Sequence, residues 1–342
     1  MKDLAVILFA KTHANEDKNS FFKDIFLKVT NIFKKKEINI DFEVASIYSG
    51  LNVYFIKLPY SKANIENMMP QKLNKLLEGV KSFLDRKSII YCVYPAGVHL
   101  NFGDRFIESN FFGGHLFKGL FRRVIKSIYN ENNIDPDDLN IAIISGEEEE
   151  ETNGLLNVLA PEVKYLTIID KQKDRYNDLM DRVYEKTGLS IVLTEDLRTA
   201  LKTSDILINL SQSIKPASRT RLKPGMLLVN YGKIDGLEIS DDNVVINGIE
   251  ITYKEFIPEK IKMEFFNFYN KLEFLEMIIL FSITLDGPKS FDFSDEYVRR
   301  VEEEFDKLGG CIKSFKGMHS FLKRKDVLEK VKQRAVRKVP RH

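Results

Sequence analysis

Residues Leu139 to Asp170, LNIAIISGEEEEETNGLLNVLAPEVKYLTIID, constrain the fold more than any other stretch of this chain. An apolar run ends at Gly146, a helix is expected to start near Thr152 to Gly154, and a second apolar run ends in Asp170. Apolar runs without polar alternation must be covered on both faces, as strands in a parallel sheet are. Two such strands joined by a helix form a βαβ unit with a right-handed crossover. The pattern then repeats. Strands are expected at 139–145, 164–169, 189–193, 205–210 and 226–231, and helices at about 153–160, 173–187 and 195–202. The fold class that follows is α/β, with a Rossmann-like doubly wound parallel sheet.

In such sheets the turn after the first strand cradles a pyrophosphate on bare backbone amides at a helix N-terminus. Here Gly146, Thr152, Asn153 and Gly154 are the candidate cofactor-binding residues of that turn, but Glu147 to Glu151 fill the interval with negative charge. Two readings stand: an unusual phosphate loop or a site for a cationic ligand, or a solvated acidic turn whose last glutamates favour a helix start. Asp170 ends the second strand where a carboxylate accepts ribose hydroxyls, which favours NAD; Lys171, Lys173 and Arg175 follow it and suit the 2′-phosphate of NADP. Asp170 serves equally as a helix cap that needs no ligand.

The flanking segments suggest three parts. Residues 1–134 read as a smaller α/β domain, with strands at 4–10, 38–48, 51–58 and 88–95 and helices at about 21–35, 71–84 and 116–130. NENNIDPDD marks a boundary, and 135–257 form the Rossmann-like domain, with Asn243 to Thr252 as a last strand or a hairpin turned by Asn247-Gly248. Residues 258–342 turn helical, at about 259–285, 294–308 and 317–337, and are expected to return to the N-terminal domain, leaving a cleft between the lobes.

The segment KTSDILINLSQSIKPASRTRLKPGMLLVNYG, 202–232, resembles the corresponding part of shikimate dehydrogenase, alanine dehydrogenase and ornithine cyclodeaminase-like proteins. That resemblance implies that the loop Asn209 to Ser213 lies beside a nicotinamide, which makes Asn209 and Ser211 cofactor-binding candidates. Upstream, NFFGGHL at 110–116 is similar to the Asn-Thr-Asp-Gly-x-Gly-Phe pattern of shikimate dehydrogenases, with Asn110 and Gly113 aligned. The family's catalytic Asp falls on Phe112, which can neither bind a hydroxyl nor move a proton. The resemblance, over about 110–232, is therefore architectural and argues against shikimate reduction itself.

A second cluster of polar chemistry lies in the link between the first two domains. His99, Asp104, His115 and Lys118 are the catalytic candidates, because imidazole titrates near neutrality. Asn101, Arg105 and Asn110 are the substrate-binding candidates, since a guanidinium anchors a carboxylate bidentately. Each also suits a plainer role, satisfying backbone groups in a long loop. Two histidines and an aspartate without fixed spacing make no metal signature.

Composition excludes several classes. The net charge of +2 over 342 residues gives no field that demands nucleic acid or an anionic membrane. The basic tail KRKDVLEKVKQRAVRKVPRH has no aromatic residue for base stacking and reads as a solvated helix. The longest apolar run, around Leu275 to Leu285, is too short to span a bilayer, and MKDLAVILFA reads as a first buried strand rather than a leader. Cys92 and Cys311 show no metal or disulfide spacing, which fits a reducing cytoplasm.

Three functional expectations result. One is an NAD(P)-dependent oxidoreductase acting on a small polar substrate in the interdomain cleft. Another is a binding or regulatory protein, compatible with a homodimer, that has lost the dinucleotide and catalysis. The third is a nucleotide-sugar or S-adenosylmethionine user on a related sheet.

Overall fold

The computed structural model describes residues 3–10, 40–48, 50–98, 104–109, 113–130, 139–212, 220–283, 293–318 and 321–323. The helix expected at 21–35 lies outside these residues, as do His99, Asn101 and Asn110. The chain divides into two compact units, one of residues 1–111 and 254–287, the other of 112–253 and 288–342.

The first unit is built on a five-stranded sheet. Its strands are β1 (Leu4–Phe9), β2 (Asp41–Tyr48), β3 (Leu51–Leu58), β4 (Tyr91–Tyr94) and β5 (Phe106–Glu108), in the order β2-β3-β1-β4-β5. All neighbours are parallel except β2 and β3. Every residue of central β1 is buried because both faces are covered. One cover is helix α1 (Pro70–Arg86), which starts with proline at its first turn and buries Leu76, Leu77, Val80, Phe83 and Leu84 along one stripe. Another is the helix Lys271–Ile283, buried continuously from Glu273 to Phe281. Asn270 and Glu273 begin that helix with a capping box: the Asn270 side chain accepts from the Glu273 amide at 2.8 Å, and Glu273 accepts from the Asn270 amide at 3.1 Å. The other oxygen of Glu273 accepts from the Ser109 hydroxyl, and this fastens the helix to the residue after β5.

The second unit begins with helices α2 (Gly114–Gly119) and α3 (Phe121–Asn130). It continues as β6 (Asn140–Ile144), α4 (Glu149–Leu159), β7 (Tyr165–Ile169), α5 (Asn177–Thr187), β8 (Ile191–Thr194), α6 (Leu197–Thr203), β9 (Ile206–Asn209), β10 (Leu227–Asn230) and β11 (Val244–Ile246). These six strands are all parallel, in the order β11-β10-β9-β6-β7-β8. The chain winds outward from β6 in one direction to β8, then returns and winds the other way from β9 to β11. The reversal falls between β6 and β9, where Ile144 lies opposite Asn209. This is the strand order of the dinucleotide-binding doubly wound fold, and open sheets of this kind bind ligands at that reversal, outside the carboxyl ends of the strands.

Three local expectations need correction. Helix α4 starts at Glu149 rather than Thr152, so Glu149, Glu150 and Glu151 form its first turn, where the positive end of the helix dipole favours them. Asn247-Gly248 does not turn a hairpin. Such a turn requires positive φ at both residues, which neither has. Instead β11 belongs to the parallel sheet, while β12 (Gly248–Thr252) pairs antiparallel with β13 (Cys311–Lys316) in a separate sheet. The helix expected from 317 is replaced at its start by strand β14 (Phe321–Lys323), which pairs with β13. The free backbone groups on the outer edge of β13 find partners there, as sheet edges require. The remainder of that expected helix lies outside the described residues. The expected helix at 294–308 is present as α7 (Asp295–Lys307).

Candidate functional site

The carboxyl edge of the second sheet is organised by hydrogen bonds between loops. The turn after β6 is Ser145 to Glu148. The Gly146 amide donates to the Thr152 hydroxyl of α4 at 3.2 Å, which fixes the turn against the helix. Glu148 occupies the cap position, and no side chain caps the start of the helix.

Asp170 follows β7 directly and is held from several sides. It accepts from the Gln172 amide at 2.8 Å and from the Tyr176 hydroxyl at 2.9 Å. Burial pushes its pKa up, but the Gln172 amide, the hydroxyls of Ser145 and Tyr176 and the Arg175 guanidinium outweigh it, so the carboxyl lies below the usual range and stays ionised. Arg175 stands over the Tyr176 ring, 5.7 Å from its centroid. Its guanidinium donates to the Glu147 carbonyl at 2.8 Å and lies 3.7 Å from Asp170. The loop after β7 is thereby tied to the turn after β6.

Glu147 links the turn after β6 to the loop after β9. Its carboxylate accepts from the Gln212 amide at 2.9 and 3.1 Å, with a longer approach of 3.4 Å from the Ser211 hydroxyl. It thus reaches from the turn after β6 to the loop after β9 and crosses the reversal point of the sheet. A carboxylate on a backbone amide occupies the kind of position a phosphate oxygen takes in a nucleotide complex.

The strand ends beside it are joined by side-chain hydrogen bonds. Asn209 is fully buried, and its side chain donates to Asn230 at 2.7 Å and to the Lys233 carbonyl at 3.0 Å. Asn230 donates in turn to Asn247 at 3.0 Å, so three asparagines join the ends of β9, β10 and β11. Gly232 is required here: a Cβ on it would stand 1.9 Å from the Ser211 carbonyl oxygen. Tyr231, between Asn230 and Gly232, packs on Phe117 and Phe293 with ring centroids 4.5 and 5.1 Å away, and its hydroxyl is buried without a hydrogen-bond partner among the described residues. Burial pushes that phenol well above its ordinary pKa, so it is neutral.

The sequence candidates separate accordingly. Gly146, Thr152, Asp170, Asn209 and Ser211 meet along this carboxyl edge. Lys118 joins them by pairing with Glu151, a carboxylate that lies beside Gly146. Asn153 donates to Glu149 at 3.2 Å from the first turns of α4. Gly154 faces the other way, where a Cβ would stand 2.6 Å from the Phe293 backbone, so close packing accounts for it. His115 is half-buried in α2; burial and then the nearby Lys118 charge push its pKa down to about 4, so its imidazole is neutral. Asp104 and Arg105 lie in the first unit at the amino end of β5, where Arg105 pairs with Asp85 and donates to the Ile90 carbonyl at 3.2 Å. Glu147 and Gln212 fall within the acidic run and the loop 209–213 that the sequence marks, without being named there as site residues, whereas Tyr176 and Tyr231 carry no such signal. The Asn-Tyr-Gly triplet at the end of a strand, 230–232, was the available signal for these strand-end contacts.

Among the described residues, no three His, Cys, Asp or Glu side chains are grouped so as to hold a metal ion. No helix among them is long and apolar enough to cross a membrane.

No protein-family model matches the chain, and no curated protein matches it significantly. Solved structures align with it at low similarity. Thermococcus litoralis Delta(1)-pyrroline-2-carboxylate reductase, in complex with NADH and L-proline, is 18% identical over 33% of this chain and 36% of its own, with a TM-score of 0.23. The 5-ketofructose reductase of Gluconobacter sp. strain CHM43 is 10% identical over 89% of this chain and 99% of its own, with a TM-score of 0.27. Giardia lamblia ornithine transcarbamoylase is 11% identical over 71% and 79%, with a TM-score of 0.31. At scores this low the alignments transfer neither family nor chemistry. The fold class rests on the strand order itself.

Proposed function

We propose that this chain is a binding or regulatory protein on a Rossmann-type sheet that does not hold a dinucleotide in its reversal-point crevice. The observation that carries the reading is the Glu147 carboxylate on the Gln212 amide. A diphosphate entering there would meet this carboxylate and the glutamates of the first turn of α4. Each charge pair about 4 Å apart costs about 1 kcal/mol in water and about 4 kcal/mol near a protein surface. Arg175 and Lys118 at this edge are already engaged by carboxylates, Arg175 by Asp170 and Glu149 and Lys118 by Glu151, and the neutral phenol of Tyr231 and imidazole of His115 add no positive charge.

A second reading, an NAD(P)-dependent oxidoreductase acting on a small polar substrate, draws support from the ionised Asp170 at the end of β7. It requires Glu147 to leave Gln212, so that the amides of the turn and of the loop after β9 become available together.

Titration with NADH and NADPH, followed by nicotinamide fluorescence, separates the two. The wild-type chain is expected to give no binding at millimolar cofactor. Glu147→Ala should gain affinity by roughly tenfold or more over wild type if the carboxylate is the obstacle. Saturable binding of either cofactor to the wild type at micromolar concentration would overturn the proposal in favour of the oxidoreductase.

A further inference from the structure

On the face of the second unit's sheet that carries α6, an open cavity of about 300 Å³ lies beside that helix, over β7 and the edge strand β8. Its origin is topological. Helix α6 connects β8 to β9, and β7 and β6 lie between those two strands in the sheet, so the helix packs over β6 and β7 on its way. Ala200 and Leu201 of α6 join Ala142, Ile144 and Ile169 of the sheet in one buried cluster. The corner beyond the helix stays open. There Tyr165 and Val192 are 57% and 58% exposed, although strands of a parallel sheet are ordinarily covered on both faces. At seven residues α6 is about 10 Å long, whereas the five residues of β7 extend about 17 Å, so the helix leaves part of the face uncovered.

None of the residues lining this cavity is charged, and seven of the ten carry a hydroxyl or a side-chain carboxamide. The alternation of the strands puts Asn140 of β6, Thr167 of β7 and Thr194 of β8 on this face, and Thr199 and Thr203, four residues apart, line the helix side. Part of their hydrogen-bonding capacity is used within the fold. The Thr199 hydroxyl donates to Asp196, the Thr203 hydroxyl donates to the Ala200 carbonyl at 3.1 Å, and the Thr194 hydroxyl accepts from the Asp196 amide at 3.0 Å. The hydroxyls of Tyr165, Thr167 and Ser190 and the carboxamide of Asn140 have no hydrogen-bond partner among the described residues. The cavity therefore presents free donors and free acceptors side by side, without charge.

We infer that this cavity binds a neutral sugar through a single ring. Every sugar hydroxyl both donates and accepts, which matches a lining of hydroxyls and a carboxamide. An anion would call for cationic donors and a cation for carboxylates, and the lining offers neither. A sugar ring also has an apolar face of C–H groups. The exposed Tyr165 ring gives that face a flat apolar surface at the rim, with its own hydroxyl as a polar end. The volume lies at the lower limit of small-molecule sites, which suits one ring rather than a chain of them. The cavity shares no residue with the Glu147 crevice and does not depend on the reading given for it.

Saturation-transfer NMR titration of the full chain with D-glucose, D-galactose, D-mannose, D-xylose and D-ribose tests the inference. The wild type should bind at least one of them saturably at millimolar concentration. Tyr165→Ala should bind that sugar roughly tenfold more weakly and Thr167→Val roughly threefold, while Tyr165→Phe, which keeps the ring, should lose less than Tyr165→Ala. Without sugar, Tyr165→Ala should melt close to wild type because the side chain is exposed. Tyr184→Ala, which removes a comparably exposed tyrosine from α5, should bind as the wild type does. Four results would each overturn the inference: no saturable binding of any of the five sugars, equal binding by Tyr165→Ala, tighter binding of glucuronate or glucosamine than of the neutral sugars, or a dimer in sedimentation that Tyr165→Ala dissociates, since a second copy would then occupy this face.

Discussion

Replacing Gly232 by alanine probes the backbone contact between Gly232 and Ser211, beside the amide on which the proposed closure depends. The new Cβ would lie 1.9 Å from the Ser211 carbonyl oxygen, 2.6 Å from the Ser211 carbonyl carbon and 3.0 Å from the Leu210 carbonyl carbon. All three are backbone atoms, so no side chain can swing aside. Ordinary contact requires the two loops to separate by roughly 1.5 Å. That movement acts directly on the hydrogen bonds joining them: the Tyr231 and Gly232 amides to the Asn209 carbonyl at 2.8 and 3.1 Å, and the Lys233 amide to the Ser211 carbonyl at 2.9 Å. Losing two of these at about 1 kcal/mol each, together with overpacking of about 1–2 kcal/mol, gives a destabilisation of about 3–4 kcal/mol. In a unit of this size the melting temperature should fall by roughly 6–16 °C. Gly114→Ala is the control. A Cβ there meets nothing within 4 Å, and alanine in a helix is neutral or slightly stabilising relative to glycine. Thermal unfolding followed by circular dichroism reads both variants. A Gly232→Ala chain within about 1 kcal/mol of wild type would refute the argument that these two loops are locked backbone to backbone.

Two further outcomes are expected. The His115 imidazole should stay neutral in NMR titrations until the pH falls towards about 4; because its folded pKa lies below the unfolded value, its contribution to stability is fully present above about 6.5 and declines between about 6.5 and 4. A His115 titration near 6.5 in the folded chain would contradict the burial described. Asn270→Ala should lower stability by about 1 kcal/mol or more in urea unfolding, because it removes the cap on the Glu273 amide, whereas an unchanged midpoint would show that the capping box contributes nothing.

The parallel sheet of the second unit was legible because its causes are local. Strands β6, β9 and β10 follow from apolar runs buried on both faces, β7 and the edge strand β8 from shorter apolar runs with one side more open, and the helices between them follow from periodicity and from signals such as Asp196 capping α6. The strand windows were therefore placed to within a few residues. Asp170 and Asn209 were legible as strand-end residues for the same reason. The partners of those strand ends were not, since a strand pattern specifies which face is buried and leaves the chemistry of its last residue open.

What the sequence determined by itself is the α/β class and the doubly wound run from 139 to 231, because burial writes a periodicity into every strand and helix. Tertiary structure decided the rest. It chose that Asn247-Gly248 passes between sheets instead of turning back, because the β12 edge pairs with β13, whose residues lie 59 to 68 positions later. It also brought Glu147 to the Gln212 amide, 65 positions away, because β6 and β9 are neighbours only once the sheet has reversed. A run of glutamates carries the same charge in any fold, but whether it faces solvent or closes a crevice depends on which strand ends beside it.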